Sequence, residues 1–365
     1  MIVMNDFKKE YKAVKPLIND AIKRCLESGW FILGKEVTTF EKQFADYLGT
    51  TYCVGTANGL EAIQITLMAL GIKKGDEVIT VSNSAVATSL AISNIGAIPV
   101  FADIDDYYHM DPKDVEKKIT KKTKVLLPVH LFGQTAHIKH LRQLAKKYRL
   151  FLVEDACQAH GAKQNEKYAG TFGIAGCFSF YPTKNLGGYG DGGAIVTNNK
   201  KLYEKIIMLR NYGQKNRYEH LVKGLNSRLD EMQAAILGAK LPTFNQQIQK
   251  RNELATIYLH ELRNIKEIQL PKTRDGAYHA YHLFVINAKK RTSLQQYLKD
   301  HGVQTIIHYP IPIHKQICYK EYNTISLPKT EHAAKQILSL PLHPFLTKKE
   351  VITVCEIIKS FYAKK

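Results

Sequence analysis

From residue 52 to residue 154 short apolar runs alternate with stretches of helical spacing. This alternation restricts the fold more than any other feature of the chain. Residues 52–56, 77–82, 98–102, 125–130 and 151–154 read as strands. Residues 59–70, 86–94, 112–119 and 137–148 read as the helices between them. Strands joined through helices pair in parallel, and strands apolar on both sides need cover on both faces. Residues 177–181 and 194–197 add strands with no helix between them, so one of these can run antiparallel. The fold class expected is α/β, with a large domain built on a mainly parallel, mixed seven-stranded sheet flanked by helices.

Both flanks extend this picture. Residues 8–28 have helical spacing, with Val14, Leu17, Ile18, Ala21, Ile22 and Cys25 on one side. Residues 35–48 form a second amphipathic helix stopped by Gly49. Long helices are expected over 225–240 and 244–265, with Pro242 marking a break between them. The pattern then changes. Residues 282–288, 293–301, 303–309, 331–338 and 348–362 alternate strand and helix in a smaller unit. The expected division is a large domain over 1–245, including the N-terminal helix, and a small C-terminal α/β domain over 246–365. The long helix at the boundary should bridge the two.

Composition narrows the function classes. The chain has 365 residues, 45% hydrophobic and 23% charged, which are ordinary globular values. No apolar run is long enough for a membrane span. The polar first dozen residues lack the apolar core of a signal peptide, so the expected location is the cytoplasm. The six cysteines include no C-x-x-C pair and read as reduced thiols. The net charge of +19 suits nucleic acid or a phosphorylated small molecule. The lysines are scattered, as in Lys117-Lys118 and Lys200-Lys201, and no basic tail with interleaved aromatics appears. Neither nucleic acid nor a membrane is expected as a partner.

The chemistry lies in three segments. Asp155 closes the apolar run 151–154, at the C-terminal edge where open α/β sheets bind ligands. Lys184 follows a strand and precedes Gly187-Gly188-Tyr189-Gly190-Asp191-Gly192-Gly193, whose glycines let backbone approach a ligand closely. Gly55-Thr56-Ala57-Asn58-Gly59 joins a strand to a helix, and the amide groups at that helix start form an anion site. An anion site, a carboxylate and an amine in this order along the chain are the layout expected for pyridoxal phosphate (PLP). The lysine would carry the aldehyde as a Schiff base and the carboxylate would pair with the ring nitrogen. The phosphate is assigned to Asn58, Gly59 and Leu60, with a hydroxyl from Ser179. Gln158 is placed at the ring hydroxyl and His160 beside the ring.

Five motifs follow one another along nearly the whole chain: Gly29–Gly34, Gly55–Gly59, Glu154–Gly161, Phe178–Gly188 and Asn226–Ala235. Together they resemble the PLP-dependent sugar aminotransferases of the DegT/DnrJ/StrS group, within the aspartate aminotransferase-like (fold type I) superfamily. The resemblance implies that Lys184 is the catalytic Schiff-base lysine and that Asp155 partners the pyridine nitrogen. It implies that Asn226 reaches the cofactor phosphate of a neighbouring subunit, giving a homodimer with shared active sites. A dehydratase branch of the group has histidine at the lysine position, so Lys184 favours amino transfer. One departure stands out. Ala85 occupies a position where the group usually has an aromatic residue stacked on the cofactor ring, a contact worth about 1 kcal/mol. Either another side chain replaces it or the substrate pocket is wider.

The same resemblance implies the substrates. L-glutamate is the usual donor, pyridoxamine phosphate the intermediate cofactor form, and a nucleotide-linked keto-sugar the acceptor. The N-terminal stretch and residues 179–193 look most like the enzymes that aminate C3 of a dTDP-3-keto-6-deoxyhexose. C4 amination, a keto-cyclitol acceptor, or a basic regulatory or DNA-binding protein on the same scaffold are the alternatives. Phe31, Tyr181, Arg217, Tyr218, Arg228, His308, Tyr309 and His314 are assigned to the substrate. His308 and His314 have no acidic partner near them in sequence, so no metal is expected.

Overall fold

The computed structural model describes residues 1–363. Its central sheet has the expected seven strands: β1 (Tyr52–Thr56), β2 (Glu77–Val81), β3 (Ile98–Ala102), β4 (Thr123–Leu126), β5 (Phe151–Asp155), β6 (Ala175–Ser179) and β7 (Gly193–Thr197). Their order across the sheet is β1-β7-β6-β5-β4-β2-β3. Strands β2 to β6 pair in parallel, and β7 runs antiparallel to both β1 and β6. Gly193 opens β7 opposite Thr56 on one side and Ser179 on the other. It thereby brings the C-terminal ends of β1 and β6 together. A Cβ at Gly193 would lie 2.4 Å from the Asn58 backbone, so only glycine permits this approach.

The sheet is covered on both faces because successive side chains point to opposite sides. Phe178, Ala194 and Val196 join one core with Phe40 and Phe44. Cys177 and Ile195, one residue out of phase, join a second core with Ile63 and Leu67. Toward the C-terminus, Phe284–Ala288 pairs antiparallel with Ile268–Gln269 and Ile337–Leu340. The helix Phe244–Leu262 supplies Phe244 and Ile248 to the first core. It supplies Leu254, Ala255, Tyr258 and Leu262 to the C-terminal one. Among the described residues no helix is long and apolar enough to cross a membrane.

Several elements end differently from the sequence expectation. Strand β4 stops at Leu126 instead of running to 130. Pro128 has no amide hydrogen to continue the ladder, and only a single bridge, Val129 to Asp155, follows. The helix expected over 225–240 begins at Glu231. Asp230 caps it by accepting from the Gln233 amide, and the preceding residues are extended, bridging to Asn211 and Ile32. Residues 303–309 make only isolated bridges, to Ile2 and Ser339. The helix expected over 331–338 starts at Pro328 and ends at Gln336, where the chain turns extended at Ile337 to enter the small sheet.

Candidate active site

The C-terminal ends of β1, β5 and β6 enclose a cavity of about 390 Å3. Asp155 ends β5 in its wall, almost fully buried. Its Oδ2 accepts from the Thr88 hydroxyl at 2.8 Å and its Oδ1 from the Cys157 amide at 3.2 Å. The neighbouring acid, Glu154, points the other way. It accepts from His130 Nε2 at 2.7 Å and from the amides of Gly170, Phe172 and Gly173. His130 Nδ1 accepts from the Ala136 amide, so the ring's hydrogen is on Nε2 and points at Glu154. All of Glu154's partners are internal, while Asp155 keeps a face toward the cavity.

Lys184 enters the same cavity from a tight turn in which its amide donates to the Tyr181 carbonyl. Burial holds its amine below the ordinary lysine pKa, against the opposing pull of Cys157 and Asp155. Across the cavity the helix Gly59–Ala69 begins. Asn58 caps it, its Oδ1 accepting from the Glu61 amide at 2.9 Å. Gly59 and Leu60, in the first turn where amides have no intrahelical acceptor, line the cavity. A Cβ at Gly59 would lie 2.7 Å from Ser179 Cβ and 2.8 Å from Cys157 Sγ. Gln158 Oε1 accepts from the Phe132 amide and its Nε2 donates to the Tyr309 hydroxyl, both at 2.9 Å. One amide hydrogen of Gln158 is left over for a ligand.

An amine of lowered pKa, a buried carboxylate and a glycine-floored helix start converge here, and this set fits PLP. Residues 13–359 match the DegT/DnrJ/EryC1/StrS aminotransferase family. The chain belongs to that family. Over 362 residues it is 46% identical to the dTDP-3-amino-3,6-dideoxy-alpha-D-galactopyranose transaminase of Aneurinibacillus thermoaerophilus, covering 99% of each chain. The crystal structure of DesV from S. venezuelae superposes with a TM-score of 0.97 at 41% identity, over 100% of this chain and 99% of that one. NtdA from Bacillus subtilis, solved with bound PMP, gives a TM-score of 0.88 at 35% identity, over 95% and 82%. The protein is a PLP-dependent aminotransferase.

The fold gathers most of the expected cofactor residues of this aminotransferase into one place. Asn58, Gly59, Leu60, Asp155, Gln158, Ser179 and Lys184 all line the cavity. His160 does not. Its ring packs edge-on against Phe178 and tilted against Phe180, and burial, with the nearby Lys184 charge, lowers its pKa to about 3. Asn226 is exposed and outside this cavity.

The expected substrate residues divide. Tyr181, 52% exposed, lines the cavity, as does Ala85. Tyr309 reaches Gln158, as described above. His308 bonds Ser339 Oγ through Nδ1 at 2.8 Å, and burial with the nearby Lys184 charge lowers its pKa to about 4. Phe31, Arg217, Tyr218 and Arg228 lie outside. Arg217 stacks on Tyr218, which is 82% exposed, and Arg228 bonds Asn211 Oδ1 over the Tyr212 ring. His314 is a correction. It is fully buried, with Nδ1 2.6 Å from Ser82 Oγ and Nε2 3.1 Å from Glu331 Oε1. Both ring nitrogens have internal partners, so it braces the fold and offers nothing to a ligand.

Sequence reasoning missed Ser84, Thr88, Cys157 and Asp191, which also line the cavity. Two of these were findable. Ser84 and Thr88 follow β2 at a spacing of four, on the same sheet edge as Asp155.

Proposed function

We propose that this aminotransferase moves the amino group of L-glutamate to C3 of a dTDP-linked 3-keto-6-deoxyhexose, in amino-sugar biosynthesis for a surface polysaccharide, glycoprotein or secondary metabolite. The observation that carries the reading is the Lys184 amine and the Asp155 carboxylate in the wall of one cavity. The full-length relative that acts as a dTDP-3-amino-sugar transaminase supports the acceptor. When bound, PLP supplies the aldehyde and an electron-withdrawing ring. The helix start at Asn58, Gly59 and Leu60, with Ser179, would hold the phosphate. Asp155 would accept from the ring N–H and so keep the ring nitrogen protonated. Lys184 Nζ, held below the ordinary lysine pKa by burial, would take the proton from the donor's α-carbon and deliver it to the cofactor, acting as general base and then as general acid.

The remaining site residues act on the acceptor or across a homodimer. Phe31, Arg217, Tyr218 and Arg228 lie outside their own cavity, which suits service to the partner's sugar nucleotide. Exposed Asn226 suits a contact to the partner's cofactor phosphate. Tyr181, His308 and Tyr309 approach from within the same subunit. In this reading the two domains meet near residue 245, and the enzyme works in the cytoplasm.

Lys184→Ala should lose the visible absorbance of bound cofactor. It should also lower 2-oxoglutarate release from glutamate and the 3-keto-sugar by roughly 10^2–10^4-fold or more. Offering 3-keto and 4-keto sugars separately and locating the new amine tests the acceptor. Amination at C4, or turnover only with a keto-cyclitol, would overturn it.

A further inference from the structure

The helix Val86–Ser93 begins without a side-chain cap. Ala85 stands at the cap position and has no acceptor to offer. Thr88 Oγ1 lies 2.8 Å from Asp155 Oδ2, and Ser84 Oγ lies 3.0 Å from Thr88 Oγ1. All three side chains are buried, and all three line the cavity. Two buried hydroxyls in series thus end on one oxygen of a cavity carboxylate.

The direction of the bonds follows from the groups. An ionised carboxylate only accepts, so the single Thr88 hydroxyl hydrogen goes to Asp155. The Thr88 oxygen is then left to accept, and Ser84 donates to it. Thr88 is β-branched, which restricts its χ1 to few rotamers, and its bond to Asp155 selects among them. The chain Ser84 to Thr88 to Asp155 is therefore a rigid strut on one carboxylate oxygen, while the Cys157 amide holds the other.

We propose that Thr88, braced by Ser84, is a positioning residue that fixes the rotation of the Asp155 carboxylate toward the ring nitrogen of PLP. This rests on the reading of Asp155 as that nitrogen's partner. Without the strut the carboxylate turns about its own bond, and the ring nitrogen is less firmly protonated.

The test titrates apoenzyme with PLP and follows the visible band against pH. Thr88→Val, close in shape but lacking the hydroxyl, should raise the Kd for PLP about tenfold, the scale of one hydrogen bond to a charged group. It should also move the pH midpoint of the visible band upward, because a less firmly protonated ring withdraws less charge from the nitrogen that titrates. Thr88→Ser should restore both. Ser84→Ala should shift both in the same direction by less, and add nothing in the Thr88→Val background. Unchanged affinity and midpoint in Thr88→Val overturn the proposal, as does failure of Thr88→Ser to rescue. If Thr88→Val does not fold by circular dichroism, Ser84→Ala decides: unchanged values overturn the strut and a shift supports it. Asp155→Asn separates the two levels. If it leaves the midpoint alone, the Asp155 reading itself fails. If it shifts the midpoint and Thr88→Val does not, only the strut fails.

Discussion

Gly59 is where the first helical turn comes closest to its surroundings, wedged against Ser179 and Cys157. A methyl group there meets both within 2.8 Å, and one of the atoms in the way is the Cβ of a strand residue that cannot swing aside. Gly59→Ala should therefore push the helix start off the cavity. The expected stability loss is about 1–3 kcal/mol, typical of overpacking. The Kd for PLP should rise at least tenfold, because the anion-binding amides move with the helix. Calorimetric titration of apoenzyme with PLP checks it, and affinity within twofold of the wild type would remove Gly59 from the cradle. Asp155 and Glu154 show the same dependence on position. Adjacent in sequence, they face opposite sides of β5, and only the outward one meets the cavity.

At the scale of elements, the helix Lys35–Leu48 starts from Gly34, which has no side chain to cap it. The cap comes from another helix. Buried Glu231 accepts from the amides of Gly34, Glu36 and Val37 at 2.7, 2.8 and 3.1 Å. One carboxylate thus satisfies most of the orphan donors at that helix end, with charge placed favourably at its positive pole. Glu231→Ala should cost about 2–4 kcal/mol, since it leaves three donors unpaired in a buried site. Glu231→Gln, which retains one acceptor oxygen, should cost less. Urea midpoints measure both, and a loss below about 0.5 kcal/mol for the alanine variant would mean that water replaces the cap.

For the whole molecule, burial holds several histidines neutral. His160 and His279 are lowered to about 3, and His109 and His343 to about 4, from an unfolded value of 6.5. Below pH 6.5 the unfolded chain takes up protons at these sites and the folded chain does not. Stability from them is complete above that pH and is lost as pH falls toward 4. Each histidine that stays neutral removes about 1.4 kcal/mol per pH unit. The urea midpoint of apoenzyme should therefore drop steeply between pH 6.5 and 4.5, before most carboxylates titrate. A flat midpoint over that interval would show that the histidines gain water or move out on protonation.

Local patterns settled much of this protein. The alternation of apolar runs with helical spacing specified seven strands and their cover, because period and crossover length are properties of contiguous sequence. Lys184, Asp155 and the Asn58-Gly59 turn were legible for the same reason, each lying at a strand end or beside glycines. The partners of buried polar groups were not legible, since segments far apart in the chain supply them. His314 looked like a ligand in a polar loop until Ser82, 232 residues away, took its ring nitrogen. Glu231, which the sequence places inside the helix expected over 225–240, instead accepts from the amide of Gly34, 197 residues away. Burial leaves a polar group no water to fall back on, so it bonds whatever donor or acceptor the packed core brings alongside, and that choice belongs to the tertiary structure.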